Sequence, residues 1–334
     1  MKGVSIFYGI MEMEWRVIMA MSYREFREEL LNQLRSIFGE NYEIGTQTVQ
    51  KVNLGNVETF RIFDKTGEKQ QSPVFYGRKL YEAYKRGTGL EVLAQGMKEK
   101  CEMTGNEITV NLIGDVNVLE EIKERIIFTV INREKNRELL KEIPHRDFLD
   151  FAVIYRIVVK ESWDGFSSMR VSNGLLERWG ITEEKLFEIA RKNMRRRMPV
   201  MKTSLADMMQ SLMGKDMISP GDISEECEGR QLQRMYMVTN RKKINGFGSV
   251  LYPDVLEEMC RILQCDSLYI LPSSIHEAIV MPQDLGMSPE ELQGMVKNVN
   301  KDCVTEEEYL SDSVYGYSLE TTEIYIVSDS GKEA

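Results

Sequence analysis

Two histidines stand among 334 residues, and each sits next to a carboxylate just ahead of an apolar run. His145 lies in Pro144-His145-Arg146-Asp147 and His276 in Pro272-Ser273-Ser274-Ile275-His276-Glu277. An imidazole beside a carboxylate can carry a proton near neutral pH or ligate a transition metal. If the strands that follow are parallel neighbours, His145, Asp147, His276 and Glu277 reach one sheet edge, as a hydrolase-like or metal-dependent centre requires. Against that, Val280 occupies the position four residues after His276, so the helical zinc-protease pattern is not met. Ser273 and Ser274 lack a Gly-x-Ser-x-Gly elbow, and a base two or three residues away on the same turn seldom reaches its serine. The plainer reading gives the hydroxyls and imidazoles to local backbone groups. No catalytic residue or metal ligand is therefore assigned, no cofactor is expected, and Ser273, Ser274, His276, Glu277, His145 and Asp147 stand as candidate binding residues.

The elements that must position these side chains are legible from periodicity. Leu251, Val255, Leu256, Met259, Ile262 and Leu263 recur at helical spacing behind Pro253, a residue favoured in a first helical turn. The runs Leu268 to Leu271 and Ala278 to Met281 suit buried strands on either side of the Pro272 to Glu277 turn. Phe148 to Val159, apolar and β-branched, predicts one central strand. At the other end of the chain Ser22 precedes a helix with Glu25 at the capping-box position, so residues 1–20 read as a disordered or non-native extension. Tyr42 to Val52 and Val57 to Phe63 predict a hairpin, Asp115 a helix cap for Val116 to Arg125, and Thr182 a cap for a helix ending near Arg197. Ser288 to Val299 reads as a helix, and Tyr315 to Leu319 with Glu323 to Val327 as a closing hairpin.

This mixture of hairpins and helices predicts an α+β (mixed α/β) fold, with antiparallel-rich sheets and flanking helices. The expected organisation is an N-terminal α+β region over 21–130 and a C-terminal α/β region over 131–327, with a mobile insertion near 198–231 and a tail at 328–334. A net charge of −10 disfavours nucleic acid as a partner. The one basic cluster, Arg191 to Arg197, reads as a solvated helix end paired through Glu188 and Lys192, with a nucleic-acid-associated role as the alternative. Five cysteines without a Cys-x-x-Cys pair argue against a disulfide framework and point to a reducing cytoplasm. No apolar run is long enough for a membrane-spanning helix. The reading that follows is a non-catalytic protein that binds another protein or a small molecule, through the 272–277 turn and the 198–231 segment.

Four segments carry a resemblance taken together: Ile131-Asn132-Arg133-Glu134 through Leu140, Ile143-Pro144-His145-Arg146-Asp147-Phe148-Leu149-Asp150, Met235 to Asn240, and Tyr269 to Glu277. Over roughly Met21 to Val327 the chain resembles a bacterial family of Gram-positive anaerobes known as domain of unknown function 5688. That resemblance implies a cytosolic bacterial protein with no established activity, and it transfers no catalytic residue.

Overall fold

The computed structural model describes residues 21–66, 73–105, 114–162, 165–213 and 231–327. Residues 1–20, half of the 198–231 segment (214–230) and the 328–334 tail, on which expectations were placed above, lie outside them. The chain divides into two compact units, Met1–Lys51 with Asn56–Thr109, and Val52–Gly55 with Val110–Ala334. The division falls near residue 110 and not at 130, because the strand after residue 125 pairs along its whole length within the second unit.

In the first unit, helix α1 (Tyr23–Phe38) starts from the expected capping box: Ser22 Oγ accepts from the Glu25 N–H, and Glu25 accepts from the Ser22 N–H at 2.8 Å. It is followed by the hairpin β1 (Tyr42–Lys51) and β2 (Gly55–Asp64), a short third strand β3 (Phe75–Tyr76), and helices α2 (Gly77–Lys85) and α3 (Leu90–Gly105). Phe26, Leu30 and Leu34 recur on one face of α1 and meet Phe60, Ile62, Ala94 and Met97 in a single apolar cluster.

The second unit opens with a short helix α4 (Leu119–Ile122), whose start differs from expectation. Asp115 does not cap it. Its carboxylate accepts from the Asn117 N–H at 2.9 Å, closing a local turn in place of a helix cap. Strand β4 (Ile126–Asn132) is buried at every position, as its continuous apolar run requires. A helical turn α5 (Arg137–Leu140) leads to β5 (His145–Phe148), β6 (Phe151–Ser162) and β7 (Gly165–Arg170). Strand β6 pairs with β4 on one side and with β5 and then β7 on the other. The single strand expected over Phe148 to Val159 is thus two strands. Phe148 faces Phe151 across a two-residue turn in which Leu149 takes a positive φ of 56°, a conformation uncommon for a branched side chain.

Helix α6 (Asn173–Trp179) and helix α7 (Glu183–Arg197) follow, α7 capped by Thr182 as expected. Next come strand β8 (Val200–Ser204) and helix α8 (Leu205–Met213). The beginning of the 198–231 segment is therefore ordered: β8 pairs with β9 (Tyr236–Asn240) from Val200↔Asn240 to Ser204↔Tyr236. A turn of 3-10 helix (Gly246–Leu251) joins β9 to α9 (Pro253–Leu263), which leads into the hairpin β10 (Ser267–Ser274) and β11 (Glu277–Pro282). Helix α10 (Pro289–Asp302), capped by Ser288, and the hairpin β12 (Tyr315–Ser318) and β13 (Glu323–Ile326) complete the unit. The larger sheet runs β13-β12-β10-β11-β9-β8. All three sheets are antiparallel, and the chain is α+β. No helix among the described residues is long and apolar enough to cross a membrane.

Helix α9 buries Val255, Leu256, Met259, Cys260 and Leu263 and leaves Ile262 exposed, so its apolar face is narrower than its composition suggests. Burial pushes the Cys260 thiol up to about 12, whereas Cys303 at the end of α10 is exposed. Since the thiolate is the reactive form, alkylation of native protein at pH 8 is expected to label Cys303 and spare Cys260 until denaturant is added. Peptide mapping that found Cys260 modified as fast as Cys303 would show that α9 does not pack as described.

Candidate functional site

The two histidines are placed in different sheets, and the antiparallel pairing removes the parallel arrangement that would have joined them. His145 opens β5; His276 lies in the β10–β11 turn. Each has its own carboxylate neighbour, Asp147 at 3.8 Å for His145 and Glu308 at 3.4 Å for His276. Among the described residues no three His, Cys, Asp or Glu side chains are grouped so as to hold a metal ion.

In the β10–β11 turn nearly every polar atom is committed to the fold. His276 Nδ1 accepts from the Asn245 N–H at 3.1 Å, which puts the proton of the neutral ring on Nε2, facing Glu308. The His276 N–H donates to Ser274 Oγ at 3.0 Å, and the His276 carbonyl accepts from Thr239 Oγ1 at 2.7 Å. Ile275 is held at both ends, its N–H donating to the Glu308 carbonyl and its carbonyl accepting from Phe247. Gly246 is required here, because a Cβ would lie 2.4 Å from the His276 carbonyl oxygen. The register slips between Pro272 and Ser274, leaving Ser273 as a bulged residue whose hydroxyl is 3.5 Å from Glu277. The Glu308 carboxyl is held below its usual range, first by the Thr305 hydroxyl and then by His276.

The basic cluster at the end of α7 is also internally used. Arg195 pairs with Asp254, Arg196 with Glu124 and Arg197 with Glu161, and Arg195 stacks over the Tyr252 ring at 4.3 Å. The expected Glu188–Lys192 pair is replaced by Lys185–Glu188 at 2.9 Å.

His145 and Asp147 have different surroundings. They line an open cleft of about 330 Å³ together with Arg133, Glu134, Arg137, Leu140 and Lys141. The chain leaves β4, makes a 3-10 turn (Glu134–Asn136) that runs into α5, and returns as β5, so the basic side chains at 133, 137 and 141 come from one connection. Leu140 anchors that connection in a small apolar cluster with Ile131, Ile143, Ala152 and Ile154. His145 Nδ1 lies 3.1 Å from the Ile143 carbonyl and donates to it, which in the neutral ring leaves Nε2 without a proton, 3.8 Å from the Asp147 carboxylate and not hydrogen-bonded to it. Arg133 is 3.7 Å from the same Asp147 carboxylate, and Arg137 pairs with Glu134 at 2.5 Å. Among the described residues no serine, threonine or cysteine lines the cleft, so these side chains can orient and neutralise an anion but supply no hydroxyl or thiol nucleophile. Sequence reasoning picks out His145 and Asp147 and passes over Arg133, Arg137 and Lys141. Their signal was the spacing of four residues, which puts successive side chains on one helical face.

The fold and this cleft define an α+β protein with a polar surface cleft, lined by three cations that pair with Asp147, Glu134 and Glu138. The chain belongs to the family of unknown function DUF5688, whose model matches residues 23–319. No curated protein and no solved structure matches it.

Proposed function

We propose that this is a non-catalytic binding protein whose ligand site is the cleft between β4 and β5, and that the ligand carries negative charge. One observation carries the reading: Arg133, Arg137, Lys141 and His145 converge on one concavity, and the pairs that hold the three cations, with Asp147, Glu134 and Glu138, are solvent-exposed and therefore weak enough for an anionic ligand to replace. The protein as a whole is acidic, so a local concentration of cations is a specific feature and not a reflection of composition. Its volume falls at the lower end of the range of ligand sites. The β10–β11 turn, whose donors and acceptors serve the fold, supports the architecture and is not the binding face. The proposed setting is a bacterial cytoplasm, in keeping with the family resemblance and the cysteine usage.

Affinity capture from native lysate, followed by identification of what is retained, tests this. Arg137 and Lys141 are mostly exposed, with side chains 70% and 67% accessible, so Arg137→Glu with Lys141→Glu is expected to leave stability within about 1 kcal/mol. Retention of the ligand is expected to fall about tenfold or more, since each charge-assisted contact contributes about 1.5–3 kcal/mol. Undiminished retention by the folded double variant would remove the cleft as the site.

A further inference from the structure

We propose that Cys260 and Cys265 form a redox pair, a site at which a peroxide closes a reversible disulfide across the C-terminal end of α9. The pairing starts in the backbone. Gln264 takes a left-handed conformation, φ 52° and ψ 51°, and ends the helix by turning the chain back over its last turn. The Cys265 N–H then donates to the Cys260 carbonyl at 3.1 Å, the six-to-one bond of a Schellman-type helix end. In such an end the side chains of those same two residues meet, and an apolar contact frequently results. Here both are free thiols. The Cys260 S–H donates to the Cys265 sulfur, so the two sulfurs need only close from hydrogen-bond to bonding distance.

Access and surroundings assign the two sulfurs different roles. Cys260 is 1% exposed, whereas Cys265 is half-buried. Burial raises both thiols, but at Cys265 the Ser267 N–H and the charge of Arg234 work against it. Cys265 is therefore the sulfur that a small oxidant reaches and that ionises first. Its thiolate attacks one oxygen of hydrogen peroxide, the O–O bond breaks, and the departing hydroxide takes up the proton that Cys265 gave and leaves as water. Cys265 is then a sulfenic acid. Cys260 attacks that sulfur, the S–O bond breaks, and the second hydroxide leaves as water with the Cys260 proton. Two thiols and one peroxide thus give one disulfide and two waters. The resolving thiol is in place before the oxidant arrives, which favours the disulfide over further oxidation of Cys265. Transient, redox-sensing disulfides are the kind that an otherwise reduced protein carries.

The test is peptide mapping of the full chain after native exposure to hydrogen peroxide, with the remaining free thiols alkylated in denaturant. Arg261 lies between the two cysteines, so trypsin yields two peptides held together only by the disulfide and separated by dithiothreitol. That linked pair is expected in the parent. It is expected to be lost in Cys265→Ser, a change at a half-buried position, with Cys260 left as a free thiol. In Cys260→Ala the resolving thiol is gone, and Cys265 is expected to accumulate as a sulfenic acid that dimedone traps, to a greater extent than in the parent. Cys265→Ser keeps the comparison decisive should Cys260→Ala fail to fold. Peroxide that oxidises Cys303 while Cys260 and Cys265 both stay free overturns the proposal. A disulfide joining Cys265 to any cysteine other than Cys260 overturns it as well.

Discussion

Ile154→Asp is expected to yield insoluble or unfolded protein. Ile154 is fully buried at the centre of β6, paired with Thr129 on one side and His145 on the other. It packs in the cluster of Ile131, Leu139, Leu140, Ile143 and Ala152. A carboxylate there loses its hydration among aliphatic side chains. The one imidazole opposite is already bonded to the Ile143 carbonyl. The cost is several kcal/mol, comparable to the whole margin of a typical domain. Ile154→Val, which removes one methylene, is expected to cost only about 0.5–1.5 kcal/mol and serves as the control. Solubility and a denaturant melt of both decide the matter: cooperative unfolding of a soluble Ile154→Asp protein near the parent midpoint would show that β6 is not central.

The second large effect is expected at Asp150, in the turn between β5 and β6. Its carboxylate accepts from the Ser311 hydroxyl at 2.7 Å and from the Tyr315 hydroxyl at 2.6 Å. Ser311 Oγ in turn accepts from the Ser313 N–H at 3.0 Å. Tyr315 and Ser311 are almost wholly buried, at 1% and 2% exposure. Burial, and after it the adjoining Asp150 carboxylate, raises the Tyr315 hydroxyl far above its ordinary range, so it remains a donor at any pH the fold survives. Asp150→Ala leaves two buried hydroxyls without their charged acceptor, at a cost of about 2–5 kcal/mol. Asp150→Asn, which keeps an acceptor oxygen, is expected to lose about half as much. Equal midpoints for the Ala variant and the parent would mean that this network does not hold β12 to the turn.

The parts of the fold carried by local signals were legible in the sequence. Ser22, Thr182 and Ser288 accept hydrogen bonds at helix starts as their sequence positions predict. Pro253 opens α9, and the alternating runs of the hairpins pair as read. What escaped depends on partners distant in sequence. Strand β8 is short and half-buried, with Lys and Met among its five residues, and only its pairing with β9 makes it a strand. The turn at Leu149–Asp150 carries no glycine or asparagine signal, so β5 and β6 read as one segment. Whether His145 and His276 meet is a question of sheet topology, which no residue spacing encodes. Arg133, Arg137 and Lys141 were visible at helical spacing, yet charge at that spacing reads first as a solvated helix face. The return of the chain as β5, carrying His145 and Asp147 to the same cleft, gives the three cations their meaning.

The presence of two histidines permits one direct measurement of the binding reading, because one lines the cleft and the other sits in the β10–β11 turn. Isotopic labelling of the imidazole rings gives two resolvable sets of nuclear magnetic resonance signals, assigned by the loss of one set in His145→Gln. On adding the ligand retained from native lysate, the His145 signals are expected to shift or broaden in a saturable way while those of His276 stay fixed. Shifts confined to His276, with His145 unmoved at saturation, would contradict the account and move the binding face to the turn.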